Sequence, residues 1–471
     1  MKTSFSKLVI IGVYVWKGVN FWYFFTFSEV VAQGSPDRPN IVLILADDLG
    51  WSDLGCYGSP YYETPNIDRL AAQGLRFTDA YSSAPVCAPT RAALMTGKSP
   101  GQLRLTAVFD RDFEEMPLLP PDWTKQLPVE EVTLAERLKE IGYTTAIMGK
   151  WHLGKTEEFW PENQGFDRNV GAWESGRPAS YFPPYENPKI LNELPGEYLT
   201  DRIAREAIGF IQDNRDRPFF LYLPFYSPHL PLEAPEETIA YFREKEPYRE
   251  QNNPTYAAMV ARLDRAVGRV LKTLDSLELA DKTLVVFTSD NGGVLSLSET
   301  HVTDNHPLRA EKFLLYEGGI RVPLIVRWPG VVPEQTKTSQ LAITHDLVPT
   351  LLSAVGSPLF DSRIEGMDLL SVFKWGEAAK FNRVLTWHYP HYMPRQEMKP
   401  SSAVRVGDMK LIHWHESHKL ELYDLAKDIG ESQNLAEQLP GLAKSLYSYL
   451  DDWRMRRGVQ MPVPNPSFVE K

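Results

Sequence analysis

The chain has 471 residues, 43% of them hydrophobic, enough to bury one large core and a smaller subdomain. Fifty Lys and Arg face 61 Asp and Glu, a formal net charge of -11, with no sustained basic patch, which argues against nucleic acid as a partner. The 30 glycines and 37 prolines, many of the prolines in short polar segments, predict long surface loops on a regular scaffold.

Lys2 and Lys7 lead into an apolar run, Leu8 to Val15, which breaks at Lys17 and Asn20 and resumes from Phe21 to Phe27. Val30, Val31 and Ala32 end it. Residues 1–32 therefore read as an export signal cleaved after Ala32, with an uncleaved membrane anchor as the alternative. A cleaved signal sends the protein to the periplasm or the outside of a bacterial cell. No later segment has the apolar length to span a bilayer.

Residues 40–46 form a short, continuous apolar run, which predicts a buried central strand ending at Asp47-Asp48. Thr64-Pro65 opens a helix that Gly74 closes, and residues 75–81 read as a strand. A helix is expected from Thr90 to Met95, and another from Thr133 to Ile141, where Thr133 and Glu136 have capping-box spacing. Residues 142–150 read as a cap and strand, 201–211 as a helix, and 218–224 as a buried strand followed by Ser227-Pro228-His229. A long helix spans 256–277, and a strand at 283–289 runs into Asp290-Asn291-Gly292-Gly293. A strand at 321–327 and a helix at 344–354 follow.

This alternation predicts an α/β fold with a large mixed, mostly parallel sheet flanked by helices. From about residue 376 short strands and tight turns take over, and 438–456 reads as a last helix. The expected organisation is a signal at 1–32, a catalytic domain at 33–375 and a C-terminal antiparallel-sheet subdomain at 376–471.

The chemistry-bearing residues fall just past predicted strand ends, where open α/β sheets bind ligands. Asp47, Asp48, Asp290 and Asn291 offer only oxygen, which suits a hard cation such as Ca²⁺ or Mg²⁺. Taken alone, Asn291-Gly292 is an ordinary turn dipeptide. The two cysteines, Cys56 and Cys87, pair in a disulfide or stay separate. Arg91 follows Cys87 by about one helical turn.

The stretch Cys87-Ala88-Pro89-Thr90-Arg91, with its Thr96-Gly97 tail, resembles the signature of the type I sulfatases, members of the alkaline-phosphatase-like superfamily. Gly142-Tyr143-Thr144 through Gly149-Lys150-Trp151-His152-Leu153-Gly154 resembles a second signature of that family. The resemblance covers roughly residues 38–425 and implies a sulfuric ester hydrolase. It implies that a maturation enzyme oxidises Cys87 to formylglycine (3-oxoalanine), whose hydrate binds calcium together with Asp47, Asp48, Asp290 and Asn291. Arg91 would hydrogen-bond the hydrate, Lys150 would bind sulfate, and His152 would help the hydrate lose its proton. His229 and Lys312 match family positions that contact the sulfate oxygens, with His229 the first choice as acid for the leaving group. Phe313 departs from the family, where a small residue is common after the lysine.

Export favours an extracellular sulfated saccharide as substrate. Two aromatic loops, 173–185 and 388–395, suit a sugar pocket or serve only as packing. His301, Arg309, His388, His391 and Arg395 are the candidate pocket residues. The chain is most similar to exported bacterial carbohydrate sulfatases, with a fainter likeness to those acting on galactose or N-acetylgalactosamine sulfates. A formylglycine-dependent phosphonate monoester or phosphodiester hydrolase, a broad arylsulfatase and a non-catalytic relative are the rivals.

Overall fold

The computed structural model describes residues 38–108, 115–191, 194–297, 299–357, 361–376, 383–393 and 398–469, besides two residue pairs at 15–16 and 19–20. The signal reading at 1–32, and with it Ala32, lies outside the described side chains, as does Arg395.

The central strand forms as expected. β1 (Asn40–Ala46) is buried along its whole length. Val42, Ile44 and Ala46 face one core, and Ile41, Leu43 and Leu45 face another, as strand alternation requires of a sheet covered on both sides. In chain order the framework continues with α1 (Pro65–Ala72), β2 (Leu75–Phe77), α2 (Cys87–Thr96), α3 (Leu134–Glu140), β3 (Thr144–Met148) and β4 (Arg168–Val170). Then come α4 (Leu199–Asp213), β5 (Phe219–Pro224), α5 (Pro254–Ser276), β6 (Thr283–Ser289), α6 (Glu317–Ile320), β7 (Leu324–Arg327), β8 (Thr336–Thr338) and α7 (Leu347–Ala354).

The eight strands lie in the order β8-β2-β7-β6-β1-β5-β3-β4. All neighbouring pairs are parallel except the two that β7 makes, with β6 and with β2. Helices α1, α4 and α5 cover one face, and α2, α3 and α7 cover the other. The α3 start is the expected capping box between Thr133 and Glu136. Among the described residues no helix is long and apolar enough to cross a membrane.

Some expectations shift. The strand read at 75–81 breaks after Phe77, and Ala80–Tyr81 pairs with Ala342–Ile343 in a separate two-stranded sheet. Asp79, at the break, is taken by ion pairs with Arg321 and Arg405. β7 begins only at Leu324, after Pro323, which lacks the N–H a ladder needs. Thr64 does not cap α1, because its hydroxyl donates to Asp68 and accepts from Gly55 N. Both cysteines are free, so the disulfide alternative falls away.

The C-terminal residues form an antiparallel sheet of β9 (Val384–Tyr389), β10 (Ser401–Val406), β11 (Met409–Trp414) and β12 (Leu420–Asp424), in that order. Val404, Leu411 and Leu422 pack on α8 (Pro440–Arg457). Trp387, Ala403, Ile412 and Tyr423 on the opposite face pack against Tyr81, Val86, Phe313 and Ile320 of the main body. The small sheet is thus docked directly behind the Cys87 approach.

Candidate active site

Four adjacent central strands deliver the site from their carboxyl ends. β1 and β6 are paired with Ala46 opposite Ser289, so Asp47 and Asp290 emerge side by side. Asp48 takes a left-handed backbone conformation, φ 64°, and its N–H donates to Asp290 Oδ1 at 3.2 Å. β3 ends at Met148, Gly149 with its φ of 124° turns the chain, and Lys150 and His152 follow. A Cβ at Gly149 would stand 1.9 Å from Pro224 O, so this close passage of β5 admits only glycine. His152 itself has φ 63°. Lys150 and His152 therefore share the site through a turn, rather than through the strand alternation expected of positions i and i+2.

Cys87 is the first residue of α2, three residues earlier than the helix start expected at Thr90. Pro89 sits in the first turn, where its missing N–H costs nothing. Thr90 Oγ1 ties the turn to both backbone groups of Ala84. This presents Cys87 at the site: its Sγ and oxygens of Asp47 and Asp290 all lie within 4.8 Å of one another.

Three buried carboxylates, Asp47, Asp48 and Asp290, meet three buried cations, Arg91, Lys150 and Lys312. Arg91 Nε donates to Asp290 Oδ2 at 2.9 Å, and its Nη1 donates to Lys150 O at 3.1 Å. Lys150 Nζ donates to both oxygens of Asp47, at 3.0 and 2.8 Å. Lys312 Nζ does the same to Asp48, at 2.6 and 2.8 Å. His229 Nε2 lies 3.5 Å from Asp48 Oδ2, and its Nδ1 donates to Leu230 O at 3.0 Å.

Burial pushes the Asp47 carboxyl well up, and Asp290 and Asp48 add to this against Lys150 and Arg91. Burial also acts on Asp48 and Asp290, but Lys312 and His229 outweigh it at the first, Arg91 and Lys150 at the second, and both are held down. Burial raises the Cys87 thiol despite Lys150 and Lys312, so the unmodified side chain is a poor thiolate nucleophile. Burial, then Lys150 and Arg91, hold His152 well below the usual histidine range, which makes it a neutral imidazole. His229 is pushed down to about 3, first by burial and then by Lys312 and Lys150, against the pull of Asp48.

The donor set fits a hard divalent cation. Asn291 Nδ2 donates to Asp48 Oδ1 at 2.8 Å and to Gly292 O at 3.0 Å, which fixes the amide orientation. Its Oδ1 is buried without a hydrogen-bond partner beside the carboxylates. An orphaned buried acceptor costs about 1–3 kcal/mol, and a cation held by Asp47, Asp48, Asp290 and Asn291 would satisfy it.

The other expected pocket residues are not brought to this cluster. Both ring nitrogens of His388 are taken, Nδ1 by Ser402 Oγ at 2.7 Å and Nε2 by Gln460 O at 2.9 Å. His391 Nε2 meets Thr106 Oγ1 at 2.8 Å, and its buried ring packs against Trp123 and Tyr389. Arg309 lies over the Tyr316 ring and donates to Glu431 O and Tyr423 OH. His301 Nε2 is 2.6 Å from Glu250 O on a small hairpin. The structure gives these four side chains protein partners.

The aromatic loop 173–185 likewise turns inward: Tyr181 and Tyr185 are fully buried. Tyr181 OH is shared between Tyr226 O at 2.7 Å and His229 O at 2.8 Å, so it holds the His229 backbone. Gly176 of the same loop lies against His152, where a Cβ would stand 2.4 Å from Nε2. Sequence reasoning missed both residues, because an aromatic run does not say which side it faces.

A family profile described as Sulfatase matches residues 39–357. The chain belongs to the sulfatase family. It is a sulfuric ester hydrolase by that membership, and its sheet and helices follow the expected alkaline-phosphatase-like arrangement. A second profile, N-sulphoglucosamine sulphohydrolase, C-terminal, matches residues 308–454. This sulfatase is 32% identical to a protein named Sulfatase from Formosa agariphila, over 99% of this chain and 98% of that one. It is 34% identical to the N-acetylgalactosamine-6-sulfatase of Canis lupus familiaris, over 86% of this chain and 77% of the other. The solved structure of Ps i-CgsB in complex with k-i-k-neocarrahexaose superposes with a TM-score of 0.77 and 31% identity, covering 92% of this chain and 95% of that one.

Proposed function

We propose that this sulfatase is an exported enzyme that hydrolyses sulfate esters on a carbohydrate, removing sulfate from galactose or N-acetylgalactosamine units, after oxidation of Cys87 to formylglycine by a maturation enzyme. The observation that carries the reading is the placement of Cys87 at the start of α2, with its Sγ among the oxygens of Asp47 and Asp290. Names of its relatives, an N-acetylgalactosamine-6-sulfatase and a neocarrahexaose complex, favour a galactose-type sugar.

A calcium or magnesium ion held by Asp47, Asp48, Asp290 and Asn291 would supply Lewis acidity, and the aldehyde hydrate of formylglycine would supply a nucleophile with a built-in exit route. The chain's own residues do the rest. Arg91, clamped on Asp290 and on Lys150 O, orients the residue at position 87. Lys150 and Lys312 offer buried positive charge to the sulfate oxygens, where charge redistributes in the transition state. His152 is neutral and can accept a proton, and its Nδ1 is buried without a partner. His229 has spent Nδ1–H on Leu230 O, so Nε2 is the atom that can carry a proton to the leaving oxygen.

Sulfate release from defined sulfated mono- and oligosaccharides, beside matched phosphate esters, tests this. The expected result is sulfate from a galactose-type sugar. Turnover of phosphate or phosphonate esters alone would overturn it. Mass spectrometry of the Cys87 peptide from the native host should show a loss of about 18 Da, the cysteine-to-aldehyde change.

A further inference from the structure

The segment from Arg309 to Arg321 carries Lys312 and α6, and it is gripped from the C-terminal sheet. Arg309 Nη1 donates to Glu431 O at 2.7 Å and Tyr423 OH at 3.2 Å. Tyr316 OH donates to Glu421 Oε2 at 2.7 Å, and Glu317 N donates to Glu431 Oε2 at 2.7 Å. At the centre is Lys410 of β11, fully buried, with Nζ 2.9 Å from Glu317 Oε1 and 2.9 Å from Glu431 Oε1. Both glutamates are fully buried as well.

The other side of the same segment abuts the site. Lys312 N donates to Gly293 O at 3.2 Å, and Gly292 N donates to Gly319 O at 3.0 Å. The packing is so close that a Cβ on Gly292 would stand 1.8 Å from Gly318 O. Glu317 Oε2 also accepts from Tyr81 OH at 2.6 Å, six residues before Cys87. A shift of Glu317 would thus be passed to Lys312, to the loop holding Asp290 and Asn291, and to the approach to Cys87.

We propose that Lys410 is a positioning residue for Lys312 and for the Asp290-Asn291 loop, so that the C-terminal sheet is a working part of the active site. A lysine between two carboxylates of different segments sets where both can sit. Glu317 also holds Arg321 Nη1, 3.0 Å from its Oε2, so Glu431 is the carboxylate whose charge Lys410 chiefly answers. The inference rests on the proposed function for the anion that Lys312 binds and for the cation that Asp290 and Asn291 would hold.

Replacing Lys410 by methionine keeps the buried stem and removes the charge. In full-length, calcium-loaded enzyme, Lys410→Met should weaken calcium about 10–100-fold, the range seen when supports behind metal ligands are lost. The calcium dissociation constant is read by competition with a chromophoric chelator. KM for a sulfate ester and Ki for inorganic sulfate should rise about tenfold, and kcat should fall as well, because Lys312 meets the anion in the ground state and the transition state alike. Lys410→Arg, which restores the charge, should recover most of the sulfate affinity. A folded Lys410→Met protein with wild-type calcium affinity and wild-type Ki, even if less heat-stable, overturns the proposal. If that variant does not accumulate, Glu431→Gln reads the same constants, with a smaller shift in the same direction expected and unchanged values overturning it. A wild type inert to sulfate esters refutes the functional reading instead, while the calcium comparison still tests Lys410.

Discussion

Asp47 and Asp290 leave neighbouring parallel strands at the same level, and Arg91 reaches both, with Nη2 2.7 Å from Asp290 Oδ2 and 3.6 Å from Asp47 Oδ1. One register therefore sets two carboxylates and the arginine that pairs with both. A slip of β6 against β1 by one residue would turn Asp290 away from Asp47.

Cys87→Ala should abolish sulfate ester hydrolysis, with kcat down at least about 10³-fold as for a lost nucleophile. The fold should survive, because the side chain is small and makes no hydrogen bond that holds α2. Circular dichroism and a melting curve beside the activity assay check both halves.

Chelation should remove activity and lower the melting temperature, and calcium should restore both. Saturation to 100 times the dissociation constant stabilises a protein by about 2.7 kcal/mol. Asn291→Ala should require more calcium for the same shift, since it deletes the buried acceptor that lacks a protein partner. A thermal titration with calcium and magnesium measures this and ranks the two ions.

His229→Gln should slow a sugar sulfate by about 10²–10⁴-fold, the usual worth of a general acid, and an aryl sulfate with a good leaving group far less. Burial, then Lys312 and Lys150, hold His229 down to about 3, so its protonated form grows as pH falls. The kcat/KM for the sugar ester should accordingly rise between about pH 7 and about pH 5, while that for the aryl ester stays flatter. Paired pH profiles decide it.

Acid should destabilise the fold. His388 and His391 are held down to about 3 and His413 to about 4, in each case chiefly by burial. Unfolded histidines titrate near 6.5. Below that pH the unfolded chain takes up protons that the native state refuses, so this stability is complete above about 6.5 and is lost as pH falls towards 3. The three together set a limiting slope of about 4 kcal/mol per pH unit. Urea melts at several pH values measure the slope, and His388→Gln should reduce it.

Gly149→Ala should be destabilising by about 2–4 kcal/mol, since it combines a φ of 124° with a Cβ 1.9 Å from Pro224 O. It should also cost activity, because the turn it distorts places Lys150. Melting curves and kcat/KM on the same preparation test the pair of effects.

The core of the site was legible because its residues follow short apolar strands and lie in local motifs. Asp47-Asp48 after residues 40–46, and Asp290-Asn291 after 283–289, needed only strand periodicity to be placed at one sheet edge. Cys87 was marked by its resemblance to a family signature, and the helix, starting at Cys87 itself, sets Arg91 about one turn on. The protein partners of the expected pocket residues were not legible. A histidine such as His388 carries no local sign of whether Ser402 and Gln460 will consume its nitrogens. Tyr181 and Tyr185 gave the same ambiguity, since aromatic residues suit a sugar face and a core equally.

By itself the sequence determined the layered α/β framework and set Asp47, Asp48, Asp290 and Asn291 past strand ends, consequences of periodicity over a few neighbours, while the reading of Cys87 came from its resemblance to a family signature. Only the tertiary structure decided that Lys410 braces Glu317, that Tyr181 holds the His229 backbone and that Gly176 leans on His152. Buried polar groups must find partners, and which ones they find depends on how elements far apart in the chain dock, which no local pattern encodes.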